Sequence, residues 1–205
     1  MGSRPILLFI STSFSVIASL LISGCGSSNA PSATIPSGTN NAAATDVKFD
    51  QQILNDFADK VVIPNNNFFA EKAKALSQSI DGLVKSPNGE TLKASQKAWV
   101  VARAAWEQTE CFGFGPADSL VYDGALDTWP INETDFKAML KSGQPMTADS
   151  VSKMKETEKG FHVIEYLLFG NEKSRKPTDL GQRDLRYLQL LGADFAKVAS
   201  DLAIS

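Results

Sequence analysis

The sequence predicts an all-α protein, an up-down helical bundle, and three observations predict it. From Asp46 onward apolar residues recur three and four positions apart, in runs long enough for helices. No alternating strand pattern of useful length appears. The breaks between runs are short and rich in Pro, Gly and Asn, so successive helices should pack as antiparallel neighbours. Composition agrees: 205 residues, 43% hydrophobic and 21% charged, suit a globular chain with one domain's core. A net charge of −3 lacks the basic footprint of a nucleic-acid binder. Two cysteines are too few for a disulfide scaffold or a cysteine-built zinc site. A single histidine excludes any site that needs two or three imidazoles from this chain.

The helical part is preceded by two stretches of different composition. Residues 1–24 read as a lipoprotein signal peptide. Arg4 supplies positive charge, and Ile6 through Ile22 are uncharged but interrupted by Ser and Thr, weak for a membrane span of about 20 apolar residues. The run ends in Leu21-Ile22-Ser23-Gly24-Cys25, which resembles the bacterial lipobox, where the cysteine is lipidated and becomes the mature N-terminus. A plain signal peptide, or a membrane anchor with a chance cysteine, is the alternative. Residues 25–45 are uncharged and built almost wholly from Gly, Ser, Asn, Ala, Pro and Thr, too polar to offset the entropy of ordering. They read as a disordered tether. The expected location is outside the cytoplasm, periplasmic or cell-surface, lipid-anchored through Cys25 to a bacterial membrane. Cys111 is left as a free buried thiol with no assigned role.

Residues 46–205 form the bundle domain. Ile53, Leu54, Phe57 and Val61 make a first stripe, stopped or kinked at Pro64. Phe69, Ala73, Leu76, Ile80 and Leu83 make a second, with Asn67 as N-cap and a break at Pro87-Asn88-Gly89. Thr91 to Phe112 reads as a third helix, and Gly113 to Pro130 as a loop. Asn132 opens a short helix, with Asp135 placed for a capping box. Val151, Met154, Phe161, Ile164 and Leu168 form one stripe ending at Gly170. Leu185, Leu188, Leu191, Phe195, Val198 and Leu202 form the last, beginning after Thr178.

Two polar clusters interrupt this pattern. His162 and Glu165 are three apart, so a helix projects both to one side at the edge of the core. Gly160 falls in mid-helix, where it costs about 1 kcal/mol relative to Ala; close approach of another backbone or a ligand would explain it. On the third helix Arg103, Glu107 and Glu110 share a face with Trp99 and Trp106. Two helices that each offer a close-spaced acidic or imidazole pair are how carboxylate metal sites are built inside bundles. The ligand set would be His162 and Glu165 with one or both of Glu107 and Glu110. Such an oxygen-rich set suits iron, manganese or calcium at least as well as zinc. The plainer alternative is a solvated Arg103–Glu107 surface pair and a His162–Glu165 core hydrogen bond.

Gly160-x-His162-x-x-Glu165, followed by an apolar run and Gly170, resembles the signature of the imelysin family, also called insulin-cleaving or peptidase M75-like proteins. Further landmarks look like the family's in the same order: Trp99-x-x-x-Arg103-x-x-Trp106-Glu107, Glu110-Cys111-Phe112-Gly113-Phe114-Gly115-Pro116, Asp127-Thr128-Trp129-Pro130, and the helix Arg183-Asp184-Leu185-Arg186-Tyr187-Leu188. The resemblance spans Asp46 to Ser205. It implies an exported, all-helical bacterial protein, often a lipoprotein, linked to iron-regulated expression and iron acquisition. It implies metal binding at His162 and Glu165, with Arg103, Trp106, Glu107, Glu110, Asp127 and Gly160 near the site. Implied partners are the metal ion, a membrane through the anchor, and iron-uptake components or a second helical bundle. Family members usually continue into that second bundle, with the site between the halves, so a chain ending at Ser205 reads as a short or truncated member. The family's peptidase label finds little support here. No His-Glu-x-x-His occurs, and one histidine with carboxylates is a poor zinc-water site. Were the protein a peptidase, Glu165 would be the base. A purely structural or adaptor lipoprotein is the third reading.

Overall fold

The computed structural model describes residues 50–205. The signal peptide, the lipidation residue Cys25 and the tether lie outside the described residues. Among those described there is no strand, and the all-α expectation holds. No helix among them is long and apolar enough to cross a membrane.

Helix α1, Gln51–Phe57, runs through a π-helical turn at Ala58–Val62 into α2, Ile63–Lys85, without a stop at Pro64. The turn shifts the ladder so that the Ile63 N–H bonds to the Ala58 carbonyl. Pro64 then lies in the first turn of α2, where its missing N–H is tolerated. Asn65 Nδ2 donates to the Val61 carbonyl at 2.7 Å. Asn67 is therefore inside a helix rather than its cap. The first stripe also differs from expectation: Ile53, Leu54 and Phe57 are exposed, because the core begins only at Phe69.

Helix α3, Gly89–Glu107, is opened by Asn88, whose side chain accepts from the Glu90 and Thr91 N–H groups while Thr91 Oγ1 accepts from the Asn88 N–H. It ends five residues earlier than its sequence pattern suggests. The Thr109 N–H and hydroxyl both return to the Trp106 carbonyl, closing the helix, and Glu110–Phe112 form a separate 3-10 turn. The expected loop that follows contains two helical turns, α4 (Pro116–Ser119) and α5 (Tyr122–Asp127). Helix α6, Glu133–Lys141, starts where Asn132 accepts from the Asp135 N–H at 3.1 Å. The reciprocal half of a capping box does not form, since Asp135 instead pairs with Lys155.

The stripe from Val151 to Leu168 is broken rather than continuous. Val151 lies on α7 (Ala148–Ser152), Met154 on the connection, and Phe161 on α8 (Gly160–Phe169). The break spans residues 153–159, with a 3-10 turn at Glu156–Glu158, and ends at Gly160, which has φ +80°, a left-handed conformation that L side chains resist. Gly160 thus begins a helix instead of sitting within one. Helix α9, Gln182–Ile204, starts beyond Thr178 as expected, after Gly181, whose N–H bonds the Asp184 carboxylate at 2.9 Å.

The core is built on α2, which packs antiparallel to both α3 and α9. Gln189 Nε2 donates to Asp81, Gly192 meets Ile80 and Ser77, and Phe195 meets Phe69. Aromatic rings tie in α8: the Phe161–Phe195 centroids are 4.4 Å apart and those of Phe69 and Phe161 6.1 Å apart. Cys111 is exposed rather than buried.

Candidate functional site

Helix α8 is anchored to α3 by side-chain donors that reach its backbone. Trp99 Nε1 donates to the Phe161 carbonyl at 3.0 Å and Gln96 Nε2 to the Leu168 carbonyl at 2.9 Å. Phe161, Val163, Ile164, Leu167 and Leu168 are buried, which turns His162 and Glu165 onto the half-exposed face. Gly160 lets α8 approach α5. A Cβ added there would lie 2.6 Å from the Leu126 carbonyl oxygen and 3.0 Å from its carbon, so only glycine fits. That contact sets Asp127, the last residue of α5, beside the His162 ring.

His162 consequently lies between two carboxylates. Nε2 is 3.1 Å from Asp127 Oδ1, and Nδ1 is 3.3 Å from Glu165 Oε2. Asp127 is fixed by α3: Arg103 Nη1 donates to Oδ1 and Trp106 Nε1 to Oδ2 at 2.8 Å. The other edge of the guanidinium meets Glu107, with Nε 2.6 Å from Oε1, and its carbon lies 5.3 Å from the Phe161 ring centre. Burial disfavours the charge of Arg103, but Asp127 and Glu107 outweigh it and hold the guanidinium above its usual range. Trp129 stands edge-to-face with the imidazole at 4.8 Å. Beside the ring opens a shallow pocket of about 190 Å³, lined by Trp129, Ile131, His162, Glu165, Tyr166 and Lys173 among others.

The structure thus joins His162, Glu165, Asp127, Arg103, Trp106 and Glu107 in one network, with Gly160 as its spacer. It does not join Glu110 to His162. Glu110 has left the helix and lines a different, larger pocket of about 360 Å³ with Phe112, Phe114 and Leu202. Partial burial first, then the Glu107 charge, push its carboxyl above the usual range. Glu107 is committed to Arg103. Among the described residues no group of three His, Cys, Asp or Glu side chains is placed to hold one metal ion. The carboxylates around His162 face different ring nitrogens, and the His162–Glu165 pair lies beside an open pocket. Trp129 was not singled out in the sequence as a site residue, although it lies two positions after Asp127 in a quoted landmark.

An all-α bundle that carries one histidine between two carboxylates at its edge, spaced by a glycine against a neighbouring helix, defines a narrow class. The imelysin family model matches residues 62–204, and this chain belongs to the imelysin family. It is 39% identical over 158 residues to iron-regulated protein A of Synechococcus elongatus, covering 77% of this chain and 41% of that protein. A protein described as an iron-regulated protein A precursor from Parabacteroides distasonis shares the fold with a TM-score of 0.67 at 25% identity, covering 74% of this chain and 43% of its own. An imelysin-like protein from Psychrobacter arcticum matches with a TM-score of 0.62 at 20% identity, covering 75% and 48%. The chain therefore spans less than half the length of each of these relatives.

Proposed function

We propose that this chain is the histidine-bearing helical part of an exported iron-handling protein, and that it takes a metal ion as cargo at His162 and Glu165. The observation that carries the reading is the His162–Glu165 pair on the half-exposed face of α8, beside a pocket open to solvent. A nitrogen and a carboxylate oxygen together suit iron or manganese, with zinc and calcium as competitors. Two protein donors leave positions free for water, for ligands carried with the metal, or for a second helical bundle, which suits release as well as capture. The relatives support iron in particular, since two of the three are described as iron-regulated. Export is supported by the precursor description of one relative and by the signal-like residues 1–24. Lipidation at Cys25 and a flexible tether over residues 25–45 would hold the domain, residues 46–205, away from a membrane surface.

Calorimetric titration with ferrous, ferric and zinc ions tests this reading. Saturable binding that disappears in His162→Ala is the expected result, and binding unchanged in a His162→Ala, Glu165→Ala double variant would overturn it. The peptidase reading is tested alongside with unfolded peptide substrates and a chelator. Chelator-sensitive cleavage lost in Glu165→Gln is what it requires.

A further inference from the structure

We propose that Asp127, locked by Arg103 and Trp106, is a positioning residue that keeps the His162 proton on Nε2, so that Nδ1 is the atom presented with Glu165 to a metal ion. The choice of nitrogen rests on the metal-binding reading above; the proton placement does not.

A neutral imidazole carries one N–H and can donate to only one of two flanking carboxylates. Three differences between those carboxylates decide which. Asp127 is the closer, 3.1 Å against 3.3 Å. It is also the more buried, with side-chain exposures of 11% for Asp127 and 30% for Glu165, so water competes less for its oxygens. Finally, Asp127 is held at both oxygens, which accept from α3, and the Gly160 contact sets the helix that carries it. Each carboxylate oxygen accepts more than one donor, so Oδ1 can take both Arg103 and the Nε2 proton. Among the described residues Glu165 has no hydrogen-bond partner other than His162, and it lines the open pocket together with His162, whereas Asp127 does not line it. A committed inner carboxylate and an uncommitted outer one are the two roles in a carboxylate–histidine–metal arrangement, where the inner group fixes tautomer and ring plane. Arg103 and Trp106 act one step further back, by denying Asp127 any other orientation.

The chain contains one histidine, so nitrogen-15 NMR of the imidazole in the full chain reads a single ring. The expected metal-free spectrum of the neutral ring has Nε2 protonated and Nδ1 bare. A neutral ring protonated at Nδ1 instead would overturn the assignment. Asp127→Asn offers one acceptor oxygen to three donors, and is expected to turn the spectrum into a mixture of tautomers and to weaken zinc binding about 10–100-fold. An unchanged tautomer in a folded Asp127→Asn protein overturns the role of Asp127. Glu165→Gln, at the exposed rim, keeps the test open if the Asp127 variant does not fold. It is expected to retain the Nε2 proton, and a switch of tautomer there would refute the proposal. Zinc ion added to the unsubstituted chain is expected to shift Nδ1; a shift at Nε2 overturns the choice of nitrogen. Perturbation of neither nitrogen overturns the metal-binding reading, and the metal-free spectrum still decides the role of Asp127.

Discussion

The interface of α2 with α9 and the edge where α5 meets α8 are both close-packed, but they are specified differently. Along α2 and α9 the information is spread over many equivalent positions: Phe69, Leu76, Ile80, Leu188, Leu191 and Phe195 are fully or almost fully buried, and each satisfies the same requirement of size and greasiness. At the α5–α8 edge single residues of unlike kinds do the specifying, namely a glycine at φ +80°, a half-buried carboxylate and an indole N–H. The first region should lose stability in proportion to the volume removed and leave the site alone. The second should tolerate no substitution at its spacer and should lose site geometry before it loses the fold.

Phe69→Ala is the largest test of that difference. Phe69 is fully buried against Trp106, Phe161 and Phe195, and truncating it should cost about 3–5 kcal/mol by loss of burial and cavity formation. Chemical denaturation measures the loss; although Phe69 packs on Trp106, the Arg103 and Trp106 bonds to Asp127 remain, so the tautomer of His162 in the protein that remains folded should be unchanged. Gly160→Ala should cost about 2–5 kcal/mol, from the left-handed backbone together with overlap on the Leu126 carbonyl. Unlike the core variant, it should separate Asp127 from His162, which the imidazole spectrum detects. If both variants disturb the ring equally, the two regions are not distinct.

A second glycine sharpens the contrast. Gly192 lies within α9 against α2, and a Cβ there would meet the tip of Ile80 at 3.0 Å and the Ser77 Cα at 3.4 Å. The nearest obstacle is the end of a flexible side chain rather than backbone. The helical preference for Ala over Gly, about 1 kcal/mol, offsets the crowding, so Gly192→Ala should change stability by no more than about 1 kcal/mol. A loss as large as that in Gly160→Ala would remove the distinction between an obstacle that yields and one that does not. Asn132→Ala probes the irregular region beside the pocket, which Ile131 and Glu133 line and Asn132 does not. It removes the cap on the Asp135 N–H and should cost about 1 kcal/mol in thermal or chemical unfolding, with zinc binding unaffected.

The same division explains what the sequence disclosed. The stripes on α2 and α9 were legible because each repeats its signal, so that one misplaced cap, Asn67 on α2, does not erase the helix. The Asn132 cap and the break at Pro87-Asn88-Gly89 were legible from local chemistry. The irregular segment was not, because its decisive features are tertiary. Val151 through Leu168 has helical spacing throughout, and only the approach of the Leu126 carbonyl shows that Gly160 must break it. The early end of α3 depends on two bonds from Thr109 to one carbonyl, and Glu110 left the site with it. Pairing by spacing brought His162 and Glu165 together but cannot reach across helices. Asp127, 35 residues away in the chain, was identified only through family resemblance.

Glu110 gives the smallest effect and the one with a defined pH dependence. Its folded-state carboxyl lies above the ordinary value of 4.5, through partial burial and the neighbouring Glu107 charge. Between 4.5 and the raised value the native protein therefore holds more protons than the unfolded chain, and stability falls as pH rises through that window. Above the window the ionised carboxylate keeps the native state at a small constant disadvantage. Glu110→Gln removes the titration. The variant should match the parent protein at acidic pH, gain over it as pH passes upward through the window, and hold a constant advantage at neutrality. The side chain is largely solvated, which limits the gain to about 0.5 kcal/mol. Melting curves of both proteins across the acidic range measure the difference directly. An advantage that grows as pH falls would mean that Glu110 is stabilised in its charged form by Arg103, and that it remains electrically part of the His162 network from which the structure separates it.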